Sequence, residues 1–137
     1  MKANANTAMN ALIVEDEVSI CEICRIILSN EGFSVDVAHD GITARDMIEE
    51  RQYDLCLLDI FVPRMNGLEL YQWLEEKHPL LKQRVLFTTG DVTSNSIKLF
   101  LEKSNSPYLY KPFTPDELRD KTRELLRRLE EAECFSY

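Results

Sequence analysis

Five short apolar runs alternate with five amphipathic segments along this sequence, and that alternation limits the possible folds more than any other feature. Such alternation is typical of βα units around a parallel sheet, and strands without polar alternation are covered on both faces. The predicted strands cover residues 11–14, 34–38, 55–58, 85–88 and 108–110, and the predicted helices cover 18–30, 42–51, 68–77, 94–103 and 115–130. We expect one doubly wound α/β domain of five βα pairs at residues 10–130, with flanking ends at 1–9 and 131–137.

The charge balance argues against nucleic acid and lipid surfaces as direct partners. The formal net charge of −8 repels nucleic acid phosphates and anionic lipid headgroups. No apolar run approaches the roughly 20 residues that a membrane-spanning helix needs, and residues 1–10 lack the apolar stretch of a signal peptide. We therefore expect a cytoplasmic protein that contacts neither a membrane nor nucleic acid directly.

The cysteines and histidines do not match the spacing of a metal or redox motif. Cys21 and Cys24 have C-x-x-C spacing, but they fall inside a predicted helix rather than at its start. Cys56 falls in a predicted strand, and His39 and His78 fall on separate loops, so a zinc site is not expected. In a reducing compartment the cysteines of apolar segments are expected to be buried free thiols.

Polar side chains follow four of the five predicted strands, at the points where those strands end. Because functional groups gather beyond the carboxyl ends of parallel strands, these side chains are expected to lie close together. The residues are Glu15, Asp16 and Glu17 after the first strand, Asp59 after the third, Thr89 and Gly90 after the fourth, and Lys111 after the fifth. The sequence thus predicts a site made of acids, a hydroxyl and a lysine.

These residue types indicate a divalent cation site that also receives a phosphoryl group. Crowded carboxylates repel one another unless a cation lies among them, and Mg²⁺ commonly shares carboxylate ligands with a phosphoryl oxygen. Asp59 can act as a nucleophile toward phosphorus, while Lys111 and Thr89 can bind phosphoryl oxygens. Singly, each residue also fits a structural role, such as a helix N-terminal acid, a turn residue or a surface cation. Their common location favours a functional site.

Together these residues resemble the CheY-like receiver domain of the response-regulator family in two-component signalling. The motifs are Glu15-Asp16, Asp59 with Pro63 and Gly67 in DIFVPRMNG, Thr89-Gly90, and Tyr108 ahead of Lys111-Pro112-Phe113. The resemblance covers residues 10–130 and implies a five-stranded parallel sheet of flavodoxin-like order 2-1-3-4-5. Two segments, RVLFTTGDV and FLEKSNSPYLYKPF, are similar to receivers attached to hybrid histidine kinases, so the chain is also considered as a module of a longer protein.

The resemblance implies a metal site and a phosphoacceptor. Asp59 would accept the phosphoryl group and would bind Mg²⁺ or Mn²⁺ together with Asp16. Phe61 would contribute its backbone carbonyl, and Glu15 would contribute directly or through water. Glu15 departs from the aspartate of many relatives, and its extra methylene is expected to change how the metal is reached, with the charge preserved.

The resemblance also implies the groups that bind and sense the phosphoryl group. Thr89, Gly90 and Lys111 would bind its oxygens, and Lys111-Pro112 is expected to be a cis peptide. Thr89 and Tyr108 would form the switch, which changes the surface of the fourth helix, fifth strand and fifth helix. A packed core aromatic is the alternative role of Tyr108. Phe61 cannot hydrogen-bond an attacking water, which suggests slow loss of the phosphoryl group, whereas Asp91 either orients water or is simply solvated.

The implied partners are a histidine kinase or a phosphotransfer protein as donor, and a downstream protein at the switch surface. The chain is expected to be a monomer or a phosphorylation-dependent dimer, and a regulatory domain rather than an enzyme. A phosphatase of the haloacid-dehalogenase kind needs a second acid two residues after the nucleophile, where Phe61 stands. A module that binds partners without phosphorylation is the other alternative, and the presence of every key residue type argues against it.

Overall fold

The computed structural model describes residues 9–91 and 93–134, and in that part the predicted strand and helix pattern is confirmed. The strands are β1 (Met9–Val14), β2 (Phe33–Ala38), β3 (Leu55–Asp59), β4 (Val85–Thr89) and β5 (Tyr108–Tyr110). The helices are α1 (Val18–Asn30), α2 (Gly41–Glu50), α3 (Gly67–Lys77), α4 (Pro79–Lys82), α5 (Asn95–Ser104) and α6 (Pro115–Cys134). The short helix α4 was not predicted, so the predicted fourth and fifth helices are α5 and α6.

All five strands are parallel and lie in the order β2-β1-β3-β4-β5, which confirms the predicted order. β1 pairs with β2 on one side and with β3 on the other. The strand order therefore reverses at β1, and the crevice outside the carboxyl ends of β1 and β3 is where ligands bind in sheets of this kind.

Helices cover both faces of the sheet because successive strand residues point to opposite sides. On one face, Leu12, Leu58 and Phe87 pack with side chains of α2, α3 and α5. On the other face, Ile13 and Leu57 pack with side chains of α1 and α6. β3 and β4 are buried along their whole length, which explains why they appear as unbroken apolar runs in the sequence.

Three cysteines of the described residues are free and buried, namely Cys21, Cys24 and Cys56. Burial raises the pKa of the Cys21 thiol to about 11 and the pKa of Cys24 and Cys56 to about 12. The thiols are therefore protonated and unreactive near neutral pH. No helix of the described residues is both long enough and apolar enough to cross a bilayer.

The ends of the chain differ from the predicted boundaries where they are described. β1 begins at Met9 because that residue pairs with Phe33, so Met9 belongs to the sheet rather than to a flanking end. α6 continues to Cys134, beyond the predicted end at residue 130. Residues 1–8 and 135–137 of the predicted flanking ends lie outside the described residues.

Candidate functional site

Three carboxylates meet at the carboxyl ends of β1 and β3. Glu15 directly follows β1 and is buried, Asp59 is the last residue of β3 and is buried, and Asp16 is exposed. One carboxylate oxygen from each lies within 4.8 Å of the others. The structure thus brings together the acids that the sequence places after two different strands.

Lys111, which follows β5, reaches across to two of these acids. Its Nζ lies 2.6 Å from Glu15 Oε1 and 2.9 Å from Asp59 Oδ2. Burial disfavours the charged amine, but its hydrogen bonds with Glu15 and Asp59 outweigh that effect and raise the pKa of Lys111. Burial, reinforced by the nearby charge of Asp59, raises the pKa of Glu15 despite the contact with Lys111.

The donor set of this cluster fits a hard divalent cation. With all three acids ionised, the single charge of Lys111 leaves two negative charges uncompensated. Carboxylate oxygens at this spacing are the ligands that Mg²⁺ and Mn²⁺ prefer. Glu15, Asp16 and Asp59 are therefore residues that could hold such an ion.

The backbone around the acids holds their side chains in place. The N–H of Phe61 donates to Asp59 Oδ1 at 3.2 Å, and the N–H of Glu17 donates to Glu15 Oε2 at 3.1 Å. Gly67 at the start of α3 packs against the end of β3, where an added Cβ would lie 2.6 Å from the carbonyl oxygen of Asp59. Only glycine lets α3 begin this close to the acid-bearing strand end.

An open cavity of about 630 Å³ adjoins the acids and Lys111. Phe61, which is 53% exposed, and Gly90 form part of its wall. Apart from its chain neighbours, no atom of the described residues lies within 4 Å of the position that a Cβ would take at Gly90, so none of them closes this side of the cavity. The cavity can admit a small phosphoryl donor or the side chain of a partner protein.

Thr89 lies next to this cavity but is not part of its wall. The side chain is fully buried at the end of β4, and its hydroxyl oxygen accepts a hydrogen bond from the N–H of Asp91 at 3.1 Å. The backbone N–H of Lys111 donates to the carbonyl of Thr89 at 2.8 Å. The hydroxyl oxygen is the acceptor in the bond with Asp91, so the hydroxyl proton stays available as a donor.

The side chain of Asp91 is engaged in the loop before α5. Its Oδ1 accepts hydrogen bonds from the N–H and hydroxyl of Thr93 and from the N–H of Ser94. These bonds, led by the one from the backbone of Thr93, lower the pKa of Asp91. Asp91 therefore shapes the loop before α5 through Oδ1, and it also lines the cavity.

Tyr108 and the bond before Pro112 lie where the sequence places them. Tyr108 is half-buried at the start of β5, packs against the core cluster that contains Phe87, and lies 5.5 Å from the ring of Tyr110. The Lys111-Pro112 peptide is cis, as predicted.

Sequence reasoning missed the contacts of the turn after β2. His39 was predicted only as a loop residue, yet its Nδ1 lies 3.0 Å from the backbone oxygen of Glu15. The available signal was its position directly after the strand that neighbours β1.

The family model of the response regulator receiver domain matches residues 11–123. The chain belongs to this family. Receiver domains are phosphoacceptor regulatory domains of two-component signalling, and they bind Mg²⁺ at an acidic pocket.

Relatives of known sequence are longer than this chain. The response regulator MprA of Mycobacterium avium is 39% identical over 120 residues, which cover 88% of this chain and 52% of MprA. The DNA-binding response regulator MtrA of Mycolicibacterium paratuberculosis is 34% identical over 117 residues, which cover 85% of this chain and 51% of MtrA. The receiver chain thus spans about half the length of these curated relatives.

Solved receiver structures share the fold over nearly their whole length. A CheY-like receiver domain protein from Methanospirillum hungatei has a TM-score of 0.82 at 29% identity, with 92% of this chain and 99% of that one covered. The receiver domain of a Luxo repressor protein from Vibrio parahaemolyticus has a TM-score of 0.82 at 21% identity, and that likeness concerns the fold alone.

Proposed function

We propose that this chain is a phosphoacceptor switch in which Asp59 receives a phosphoryl group in a metal-dependent transfer. The donor is the phosphohistidine of a histidine kinase or of a phosphotransfer protein, or a small phosphodonor. One observation supports this proposal most strongly. Lys111 Nζ lies 2.9 Å from Asp59 Oδ2, and Asp59 has one oxygen within 4.8 Å of an oxygen of Glu15 and of Asp16. The chain assists its own phosphorylation and dephosphorylation only, and it is not an enzyme with turnover on other substrates.

In the transfer, a carboxylate oxygen of Asp59 forms a bond to phosphorus, and the bond from phosphorus to the donor's imidazole nitrogen breaks. The electron pair of that bond stays on the ring nitrogen, which takes up a proton. Lys111 places a positive charge beside the phosphoryl oxygens, and Thr89 donates its hydroxyl hydrogen to one of them. The open side of the cavity at Gly90 leaves space for the third oxygen.

The metal would be held by the carboxylates of Asp16 and Asp59 and by the backbone carbonyl of Phe61, with Glu15 contributing directly or through water. The hard oxygen donors and the two uncompensated negative charges support this assignment. Mg²⁺ or Mn²⁺, when bound, would offset the negative charge on the phosphoryl oxygens.

The output would pass through Thr89 and Tyr108 to the surface of α5, β5 and α6. A phosphoryl group shifts this switch only by stabilising one of its two states more than the other. The Thr89 hydroxyl can bond either to the N–H of Asp91 or to a phosphoryl oxygen. That hydroxyl now accepts from the N–H of Asp91, and a turn toward the cavity would break that bond beside β5, the paired strand that carries Tyr108.

The downstream partner is proposed to be a protein that docks on this surface, with the chain as a monomer or a phosphorylation-dependent dimer. MtrA carries DNA-binding in its name, but the net charge of −8 disfavours direct binding of nucleic acid by these 137 residues. The three free, buried thiols fit a reducing compartment, so we place the function in the cytoplasm.

The test is incubation with acetyl phosphate and Mg²⁺, followed by intact mass measurement. Wild type is expected to gain the mass of one phosphoryl group, and Asp59→Asn is expected to gain none. Asp46→Asn, on the exposed side of α2, is the matched control and should be modified like wild type. Wild type without a mass gain, or Asp59→Asn with a full gain, would overturn the proposal. Omission of Mg²⁺ and addition of EDTA should abolish the modification.

A further inference from the structure

The turn after β2, residues 39–41, contacts both loops that carry the acidic site, although none of its residues belongs to that site. β2 lies beside β1, so the turn stands next to Glu15. The start of α2 lies against the loop from residue 60 to residue 66, which connects β3 to α3 and contains Phe61. We call the loop of residues 15–17, between β1 and α1, the Glu15 wall, and the loop of residues 60–66 the Phe61 wall.

His39 holds the backbone of the Glu15 wall. Its Nδ1 lies 3.0 Å from the carbonyl oxygen of Glu15, and because a carbonyl can only accept, the ring nitrogen donates. The thiol of Cys21 donates to the same oxygen at 3.2 Å, and the N–H of Glu15 donates to the carbonyl of Ala38 at 3.0 Å. Both backbone groups of Glu15 are thus fixed from outside its own loop, and they direct its side chain toward Lys111.

Asp40 and Gly41 hold the Phe61 wall. The N–H of Gly41 donates to the carbonyl of Pro63 at 3.2 Å, and an added Cβ at Gly41 would lie 1.7 Å from the carbonyl oxygen of Met65. The carboxylate of Asp40 lies 3.2 Å from the guanidinium of Arg64. Arg64 has a φ of 69°, a conformation that side chains disfavour, so the loop needs such contacts to keep its shape.

We propose that residues 39–41 are a positioning element that sets the spacing between the Glu15 wall and the Phe61 wall. The inference rests on the proposed metal site, which lies between these walls. Mg²⁺ demands near-ideal octahedral geometry, and groups behind its ligands tune the affinity. His39 and Asp40 act through Glu15 and Arg64, so they set the affinity for the ion without touching it.

The decisive measurement is the Mg²⁺ dissociation constant by isothermal titration calorimetry. Replacing His39 by leucine removes the donor to Glu15 and is expected to raise the dissociation constant about tenfold. His39→Asn, whose amide can donate in the same direction, is expected to restore most of the affinity. The control is His78→Leu, because the other histidine of the chain bonds to Glu49 instead and should bind Mg²⁺ like wild type.

The Phe61 wall is tested with Arg64→Asn. Asparagine tolerates positive φ, so this variant keeps the backbone and removes the ion pair with Asp40. The Asp40 carboxylate keeps its hydrogen bonds from the N–H and hydroxyl of Thr43. The Arg64 side chain is 60% exposed, so water screens its charge, and we expect a weaker effect, about twofold to threefold on the dissociation constant. Arg51→Asn breaks an exposed pair with Asp36, away from both walls, and should have no effect on Mg²⁺ binding.

Hydrogen exchange of the metal-free protein gives a second readout. The amide of Glu17, which donates to Glu15 Oε2, should exchange faster in His39→Leu, while amides of β4 stay protected. A purely structural role would lower the free energy of unfolding and leave both the dissociation constant and this amide unchanged.

The outcomes separate the inference from the proposed function. Unchanged Mg²⁺ affinity in His39→Leu, with normal binding by wild type, would overturn the positioning role alone. Equal weakening in His39→Leu and His39→Asn would also overturn it, because the hydrogen bond would not matter. Wild type that binds no Mg²⁺ would remove the metal site itself, and the inference with it.

Discussion

Lys111 Nζ lies 2.6 Å from Glu15 Oε1, closer than its 2.9 Å distance to the acceptor oxygen of Asp59. Glu15 is thus the nearest counter-charge of the lysine, and its second oxygen is bonded to the N–H of Glu17. The Glu15 side chain thus uses one oxygen for the amine of Lys111 and the other for the backbone of its own loop. The pair of Glu15 and Lys111 joins the two outermost strands that contribute to the site, β1 and β5, across β3 and β4.

Glu15 should make the metal-free protein less stable as the pH rises. Burial raises its folded pKa above the ordinary value of 4.5, so the folded state binds this proton more tightly than the unfolded state. The free energy of unfolding is therefore expected to fall as the pH rises from about 4.5 through the folded pKa. Glu15→Gln should lack this fall. Urea unfolding at a series of pH values in EDTA measures both curves, and parallel curves would contradict the expectation.

Lys111→Met should destabilise the metal-free protein because two buried carboxylates lose their shared cation. The side chains of Glu15 and Asp59 are 4% and 5% exposed, so the lost pair is a buried one. We expect the free energy of unfolding to fall by about 3 kcal/mol in EDTA at pH 8. Mg²⁺ should recover part of the loss and stabilise this variant more than wild type.

The control for Lys111→Met is Lys121→Met, which breaks a 4.0 Å pair with Glu124 on the surface of α6. That change should alter the unfolding free energy by less than about 1 kcal/mol. Equal effects of the two substitutions would mean that the Lys111 amine carries no special electrostatic role.

The strands could be predicted because both faces of the sheet are covered. β3 and β4 are buried throughout, so their apolar runs are clear in the sequence. Only the last residue of each strand was predicted as loop instead of strand. Asp59 and Thr89 are polar, yet both belong to the ladder, and Asp59 pairs with Thr88. The four-residue helix α4 lies below the length at which periodicity is informative.

The sequence was enough to predict which residues gather at the site, but not which of their atoms are in contact. Parallel strands bring their carboxyl ends together, which is enough to gather Glu15, Asp59 and Lys111. Which oxygen the amine contacts depends on side-chain length and packing, which a single sequence does not reveal. The contact of His39 with Glu15 joins residues that are 24 positions apart, and no local pattern marks it.

Gly67→Ala should be costly, whereas Gly90→Ala should be tolerated. A Cβ at Gly67 would lie 2.6 Å from the carbonyl oxygen of Asp59 and 2.7 Å from Cα of Ile60, so the backbone that carries the acceptor must shift. We expect a loss of about 2 to 3 kcal/mol in unfolding free energy and slower phosphorylation. A Cβ at Gly90 would meet no atom within 4 Å in the part of the chain that the structure describes, chain neighbours aside, and the φ of Gly90 is not positive, so the fold should be unaffected. Thermal melts of the two alanine variants make the comparison, and a stable Gly67→Ala would contradict it.

Phe61 should prolong the lifetime of the phosphoryl group on Asp59. Phe61 is 53% exposed and lies in the cavity wall, two residues after Asp59, where its apolar side chain offers water no hydrogen bond. Phe61→Asn introduces a polar group that can hold a water near phosphorus, so the phosphoryl group should be lost several-fold faster. The decay of the phosphorylated mass after removal of acetyl phosphate measures the rate. Leu80→Asn also replaces an exposed apolar side chain, but on α4, outside the cavity wall, and should decay like wild type. Identical decay of Phe61→Asn and wild type would show that the rate of hydrolysis does not depend on the polarity of residue 61.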